Sequence, residues 1–261
     1  MSRIPDIQKI YENSTPLTGP NILTLEEIFE AYSYERPTAN SNVVVRGSFV
    51  SSIDGASSVD GISGGLSSHA DKAMFRIQRE LTDLVVIGSG TAKAENYFGV
   101  RSDQELEARR RAQGLSAVPP IAVLSSTADL DPDSQLFTNT FVPPIVITTD
   151  AAPKTKTKAL ESAGAVVIHA GTSRVNVKLA LTSLSRLGFV RILCEGGPKL
   201  FGSMLAEDLV DDVCLTLSPS LVGGRAGRIA DWDGAAASAM SLAHVLVAED
   251  GTLLTRWVRQ A

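Results

Sequence analysis

The sequence predicts an α/β fold: a central, mostly parallel sheet flanked by helices and closed by an antiparallel hairpin near the C-terminus. Three observations carry that expectation. Short apolar runs rich in Val and Ile alternate with helical patterns through the middle of the chain, which implies right-handed strand–helix–strand units and parallel pairing. Most of these runs stop in a cluster of Gly, Ser, Thr or Asp. The polar residues therefore fall together on the carboxyl rim, where open sheets of this kind take their ligands. Near the end, E-D-G at 249–251 separates two apolar runs, a hairpin signal.

Within the first 41 residues, 25–34 reads as a short helix, with Thr24 as its cap and Glu27 placed to close a capping box. Ile28, Phe29 and Tyr32 give it an apolar face. The segment 1–41 is expected to wrap, as an N-terminal extension, a main domain spanning 42–261. Residues 43–50 form a β-branched strand ending in S-S-I-D-G. The Gly/Ser-rich loop that follows is too long for a simple connection and is a candidate functional loop. A helix over 69–81, capped by Ser67 or Ser68, leads to a strand over 83–87 that stops in G-S-G-T. Lys93 stands where the dinucleotide fingerprint needs its third glycine, so a Rossmann domain is disfavoured.

Residues 92–101 read as irregular and 102–114 as a solvated helix. Strands at 121–124, 144–147 and 165–168 follow, alternating with helices at 154–163 and 177–187. The chain closes with strands at 213–217, 243–247 and 253–258. Asp208, Asp211 and Asp212 read as a solvated helix end, and Asp54 as a structural acceptor of turn amides.

The expected active centre is 191–203, R-I-L-C-E-G-G-P-K-L-F-G-S. An apolar run ends at Glu195, the double glycine lets a ligand approach the bare main chain, and Pro198 suits the first position of a helix. The free amides and dipole of that helix start favour an anion. A buried strand end needs a partner for Glu195: either a hydrogen bond into the Gly-Gly turn, or substrate.

Composition narrows the function. The chain has 261 residues, 44% hydrophobic and 20% charged, with a net charge of −5 and no Lys/Arg-rich run. A nucleic-acid surface needs a clustered basic face and is not expected; a small phosphorylated ligand needs only a few local cations. Cys194 and Cys214 lie in apolar runs and read as buried thiols. No Cys/His spacing suggests zinc, and no metal is expected. Neither a membrane span nor a secretory leader is visible, so a cytoplasmic location is expected. His69, His169 and His244 show no mutual spacing that suggests chemistry.

The order S-S-I-D-G, S-G-G-L-S-S, R-x-L-x-D, G-S-G-T-A-K-A-E-N, V-R, E-G-G-P-K-L and S-P-S-L-V-G-G resembles the reductase domain of riboflavin biosynthesis. That domain forms the C-terminal half of RibD proteins and occurs as free-standing pyrimidine reductases. The N-terminal extension is similar to that of actinobacterial stand-alone members. The resemblance covers 42–261 and implies a dihydrofolate-reductase-like fold. It further implies NADPH-dependent reduction of the ribosyl group of an aminopyrimidine ribosylamine 5′-phosphate to ribityl, and a homodimer.

Carried over by the same resemblance, Ser51, Gly65, Thr91, Glu95, Ser125 and Val175 match cofactor-binding positions. So does the pyrophosphate loop and helix start, Gly196, Gly197, Pro198, Lys199, Leu200, Phe201, Gly202 and Ser203. Ser63, Arg79, Arg101 and Glu195 match substrate-binding positions, with Glu195 as the catalytic candidate and the arginines suited by their planar forks to a phosphate. The chain departs from the family pattern where Gly65 replaces a tryptophan and Glu95 an aspartate. Two other readings stay open: a dihydrofolate or pterin reductase on the same fold, and a nucleotide-binding protein without turnover.

Overall fold

The computed structural model describes residues 6–12, 15–16, 21–34, 42–234 and 237–260. Strands β1 (Ile7–Glu12) and β2 (Thr15–Pro16) and helix α1 (Leu25–Ala31) come first. They are followed by β3 (Val44–Ser52), α2 (His69–Leu81), β4 (Leu84–Gly88), α3 (Ser89–Ala94) and α4 (Gln104–Ala112). Next are β5 (Ile121–Leu124), α5 (Gln135–Thr138), β6 (Ile145–Thr148), α6 (Lys154–Ser162), β7 (Val166–His169) and α7 (Val177–Arg186). The last elements are β8 (Arg191–Cys194), α8 (Pro198–Ala206), β9 (Asp212–Ser218), β10 (Met240–Ala248) and β11 (Leu253–Arg259).

One eleven-stranded sheet runs β2-β1-β10-β11-β9-β3-β8-β4-β5-β6-β7. From β9 to β7 all neighbours are parallel; beyond β9 the sheet continues antiparallel through β11, β10, β1 and β2. The central strands β4, β5, β6 and β8 are largely apolar because helices cover both faces. Val45, Val86, Ile147 and Ile192 meet α7 and α8 on one side, and Val85, Val123, Val146 and Leu193 form a second core on the other. Since these strands run the same way, their carboxyl ends share one rim. Among the described residues no helix is long and apolar enough to cross a membrane.

The expected strands and helices of the parallel half are found where the periodicity puts them, and Ser68 caps α2. Thr24 and Glu27 close the capping box of α1, a helix that ends at Ala31, short of the expected 34. Four further expectations need correction. Residues 7–12 carry no clear alternation, yet β1 pairs with β10; edge pairing asks little of side chains on the outer face. The G-S-G-T turn is itself the start of a helix, α3, with Gly88 as its cap.

Asp212 is no solvated helix end. It is buried on β9 and accepts from Arg46 Nη2 at 2.6 Å and Arg256 Nε at 3.0 Å. Burial opposes its charge, but the two guanidiniums outweigh that and hold its carboxyl below the usual range. The same arginines donate to the carbonyls of Tyr32 and Ala31, so a buried ion cluster anchors the end of α1 to the sheet. Its neighbour Asp211 is half-buried and accepts the Val45 amide at 2.8 Å.

Helix α4 departs from the solvated reading at one position. Arg110 is buried and donates to the carbonyls of Arg79, Glu80 and Thr82, satisfying the orphan acceptors at the end of α2.

Candidate active site

At the centre of the rim β8 hands over to Glu195, the Gly196–Gly197 turn and α8. Gly196 has φ +94°, a left-handed conformation that favours glycine, and the Gly196–Gly197 peptide is cis. The Gly88 amide donates to the Gly196 carbonyl at 2.7 Å, tying the turn to the end of β4. A Cβ on Gly197 would collide with Thr91 Oγ1. Gly197 also caps α8, with Pro198 in its first turn and no side-chain hydrogen bond to the helix amides. The start of α8 thus keeps bare donors on the rim.

This turn lines a cavity of about 770 Å³. Ser63, Arg79, Thr91, Glu95, Arg101, Glu195, Gly196, Gly197 and Pro198 all reach it, from the loop after β3, α2, α3, the segment after α3 and the β8–α8 turn. Phe75, Tyr97, Phe98 and Ile229 supply apolar wall. The mixture of aromatic surface and a few convergent polar groups is that of a small-molecule site.

Glu195 is buried at the floor. Arg79 grips it with Nε on Oε1 at 2.6 Å and Nη2 on Oε2 at 2.7 Å, and the Tyr97 hydroxyl donates to Oε2 at 2.9 Å. The expected alternative, a bond into the Gly-Gly turn, is replaced by this pairing: Arg79 projects across from α2, four positions after Phe75, whose ring centroid lies 4.3 Å from the guanidinium. Burial opposes the Arg79 charge, and the Glu195 carboxylate more than offsets it, so its pKa is raised. Burial first, then the charge of Glu195, push the Tyr97 hydroxyl well above its usual value. Tyr97 drew no role from the sequence; the only signal was an aromatic pair, Tyr97-Phe98, between Thr91 and Arg101.

Glu95 Oε1 accepts from both the amide and hydroxyl of Ser63 at 3.0 Å, fastening the Gly/Ser loop over α3. Asp54 accepts the amides of Val222 and Gly223 at 3.2 and 2.7 Å, so it is structural, as expected, but it ties down the L-V-G-G loop. Arg101 donates to Asn139 Oδ1 at 2.7 Å and lies 5.0 Å from the Phe98 ring centroid.

The remaining expected positions lie outside the cavity lining. Ser51 is buried at the end of β3. Gly65 ends a short 3-10 turn in which a Cβ would press on Val59. Leu200, Phe201 and Gly202 are buried in α8, Phe201 against Phe49 with centroids 4.4 Å apart. The Ser203 hydroxyl donates to the Lys199 carbonyl within that helix at 2.8 Å. Ser125 and Val175 meet a neighbouring part of the rim: Ser125 Oγ accepts the Asp129 amide at 3.2 Å, and the Val175 amide donates to Ser126 Oγ at 3.1 Å. There Lys93 and Lys156, from different helices, converge on Asp129 at 2.7 and 2.5 Å.

A dinucleotide fits this rim. The bare turn and the start of α8, which no side chain caps, offer an anion seat, and strands about 4.8 Å apart place the Ser125–Asp129 turn within reach of a second nucleoside. Among the described residues no group of three or more His, Cys, Asp or Glu side chains is arranged to hold a metal ion.

Residues 43–254 match the family model described as the RibD C-terminal domain. A 2,5-diamino-6-ribosylamino-4(3H)-pyrimidinone 5′-phosphate reductase from Methanothermobacter thermautotrophicus is 30% identical over 170 residues, covering 65% of this chain and 74% of that one. One of the same name from Aquifex aeolicus is 29% identical over 162 residues, covering 61% and 68%. Among solved structures, a pyrimidine reductase-like protein from Corynebacterium diphtheriae superposes with a TM-score of 0.77 at 25% identity, covering 84% of this chain and 92% of that one. A riboflavin biosynthesis reductase from Saccharomyces shares the fold with a TM-score of 0.63 at 16% identity, over 90% and 99%.

Proposed function

This chain belongs to the RibD C-terminal domain family, and from that premise we propose that it is a nicotinamide-dependent reductase of riboflavin biosynthesis. Its substrate is an aminopyrimidine ribosylamine 5′-phosphate, taken before deamination as in the named relatives, and its product carries a ribityl group. The observation that carries the reading is the juxtaposition of a buried carboxylate, Glu195, with the bare Gly196–Gly197 turn in one cavity.

NADPH, when bound, supplies the hydride that C1′ of the ring-opened, imine form of the substrate accepts. The chain's own work is positioning. Gly196, Gly197 and the start of α8 would hold the diphosphate and Thr91 the nicotinamide side, and the cavity's part would be to bring the cofactor's hydride donor and the substrate's acceptor carbon together. Glu195 supplies a fixed negative charge that favours the cationic, protonated imine, an effect strengthened where water is excluded. Ser63 and Arg101 hold the substrate, Arg101 at its phosphate end. Lys93 and Lys156, which converge on Asp129 beside the Ser125 turn, are the cations a 2′-phosphate on the adenosine would recruit, which supports NADPH over NADH.

The enzyme works as a homodimer in a reducing cytoplasm. Buried thiols Cys194 and Cys214, each pushed by burial up to about 12, are consistent with that compartment. An apolar face of β9, β11 and β10 outside the three cores supports the dimer.

The test is NADPH oxidation by purified protein, with the diaminopyrimidine ribosylamine phosphate, its deaminated analogue and dihydrofolate as separate substrates. Turnover with the diaminopyrimidine in preference to its deaminated analogue, and none with dihydrofolate, is expected. Turnover with dihydrofolate alone would make it a pterin reductase, and none with any, despite cofactor binding, a mere nucleotide binder.

A further inference from the structure

Two guanidiniums in the cavity lie over phenylalanine rings. Arg79 stands 4.3 Å from the ring centroid of Phe75, and Arg101 5.0 Å from that of Phe98. All four side chains line the one cavity, and neither ring belongs to any of the three hydrophobic cores. Phe98 is 40% exposed, a large apolar surface that packing of the fold does not account for. The chain nevertheless fixes its backbone. The Tyr97 amide donates to the Ala92 carbonyl and the Gly99 amide to the Asn139 carbonyl, each at 3.0 Å, and a Cβ on Gly99 would collide with Thr140. Phe75 is set by its helix: four positions before Arg79 on α2, it shares that residue's face.

A ring on the flat face of a guanidinium leaves its N–H groups, which all lie in the plane, open to an acceptor. It also holds a long side chain in one orientation, so less freedom is lost when an anion binds. Arg79 gives Nε and Nη2 to Glu195, and Nη1 takes no part in that pairing. Arg101 gives Nη2 to Asn139 at 2.7 Å. Each arginine is therefore anchored at one edge and steadied on its face, with in-plane donors left for an anion. We infer that Phe75 and Phe98 are positioning residues that hold Arg79 and Arg101 edge-on to the substrate's phosphate, and so set the preference for a phosphorylated substrate. This role rests on the reductase reading above, with the phosphate at these two arginines. It gives the exposed ring of Phe98 a purpose that the cores do not.

The deciding measurement compares kcat and KM on the ribosylamine 5′-phosphate and on its dephosphorylated form, for wild type, Phe75→Leu and Phe98→Leu. Leucine keeps apolar bulk and loses the π face. Each variant is expected to raise KM for the phosphorylated substrate by about fivefold, within the range of a cation–π contact, with a smaller change in kcat and none of that size on the dephosphorylated form. Competitive inhibition by inorganic phosphate should weaken by the same factor. Phe75→Tyr and Phe98→Tyr, which keep the ring, should recover the wild-type KM. In an Arg101→Ala background Phe98→Leu should cost nothing further, because the ring acts through the guanidinium. Equal penalties on both substrates would overturn the inference and set the rings against the pyrimidine instead; so would an unchanged KM, or full additivity with Arg101→Ala. Melting temperature reports folding, and should Phe75→Leu fail to fold, the exposed Phe98 decides. An inactive wild type removes the reductase reading and this inference with it, whereas an active wild type with equal penalties on both substrates removes this inference alone.

Discussion

Arg46 and Asp212 meet in the protein interior, on adjacent parallel strands, with Nη2 and Oδ2 2.6 Å apart. The contact joins three parts of the chain, because Arg46 also reaches the carbonyls that end the N-terminal helix. Removing one member of a buried ion group leaves the others uncompensated. Asp212→Asn is therefore expected to lower unfolding stability by about 3–5 kcal/mol, read by urea denaturation. The sign with pH follows from its depressed carboxyl: the stabilisation is fully present above the ordinary value of 3.8 and is lost as pH falls through the lower folded value. A variant as stable as wild type at neutral pH would mean that the cluster is neutral in balance.

His244 gives a second pH effect. It is buried edge-on to Tyr32, with ring centroids 4.9 Å apart, and its Nε2 has no hydrogen-bond partner among the described residues. Burial first, then the charges of Arg256 and Lys9, depress its pKa from 6.5 to about 3. The unfolded chain binds a proton below 6.5 that the folded chain refuses, so stability present above 6.5 is lost as pH falls towards 3. Between pH 7 and 5 wild type should lose about 2 kcal/mol through this group. His244→Phe, which keeps the ring contact, should lose that much less over the same interval. Equal losses in the two proteins would show that His244 charges in place.

How far the sequence carries varies with the physics. The E-G-G-P turn was legible because backbone freedom, a missing amide proton and helical spacing all write themselves into local residue types. The parallel strands were legible too, since burial on both faces leaves unbroken Val/Ile runs. The partnership of Arg79 with Glu195 was not: the two are separated by more than a hundred positions, and a helical arginine flanked by solvated charges looks like any other. Asp212 misled for the opposite reason, because two acids after a helix suggest water until Arg46 and Arg256 are brought in by the sheet. Strand β1 was hidden by its mixed composition, its place being set by the free edge of β10.

Gly197→Ala tests the anion seat. Its φ of −76° suits any residue, so the fold should survive, but the new methyl would meet Thr91 Oγ1 and intrude on the turn. Dinucleotide affinity, followed by fluorescence titration, is expected to fall more than about tenfold, or 1.4 kcal/mol. Adding Thr91→Gly should relieve the collision and recover part of it. Unchanged affinity in the single variant would place the diphosphate elsewhere.

The lysines on Asp129 bear on cofactor choice. With Lys93→Ala and Lys156→Ala combined, the ratio of NADPH to NADH affinity should drop by about tenfold, chiefly through weaker NADPH binding that is also more tolerant of salt. Equal weakening of both cofactors would point to a general effect on the rim rather than recognition of the extra phosphate.

The antiparallel wing predicts how copies associate. In register across it, Leu217 faces Leu253 and Leu253 faces Val247, Leu215 faces Thr255 and Thr255 faces Val245, and Trp257 follows on the same side. Apart from Thr255, which is buried, these side chains are half-buried, and none of the set belongs to the three hydrophobic cores. The other side of the same strands is sealed by α1 and α2 through Cys214, Leu246 and Leu254. A sheet face of this composition buries itself against something, and a second copy supplies the same rows by two-fold symmetry. Leu215→Asp places a charge in the middle of the face and, with its twin across the axis, sets like charges together. Sedimentation should then show a monomer where wild type is a dimer, with the far-ultraviolet spectrum unchanged. A wild type that sediments as a monomer at micromolar concentration would leave this face without the partner assigned to it.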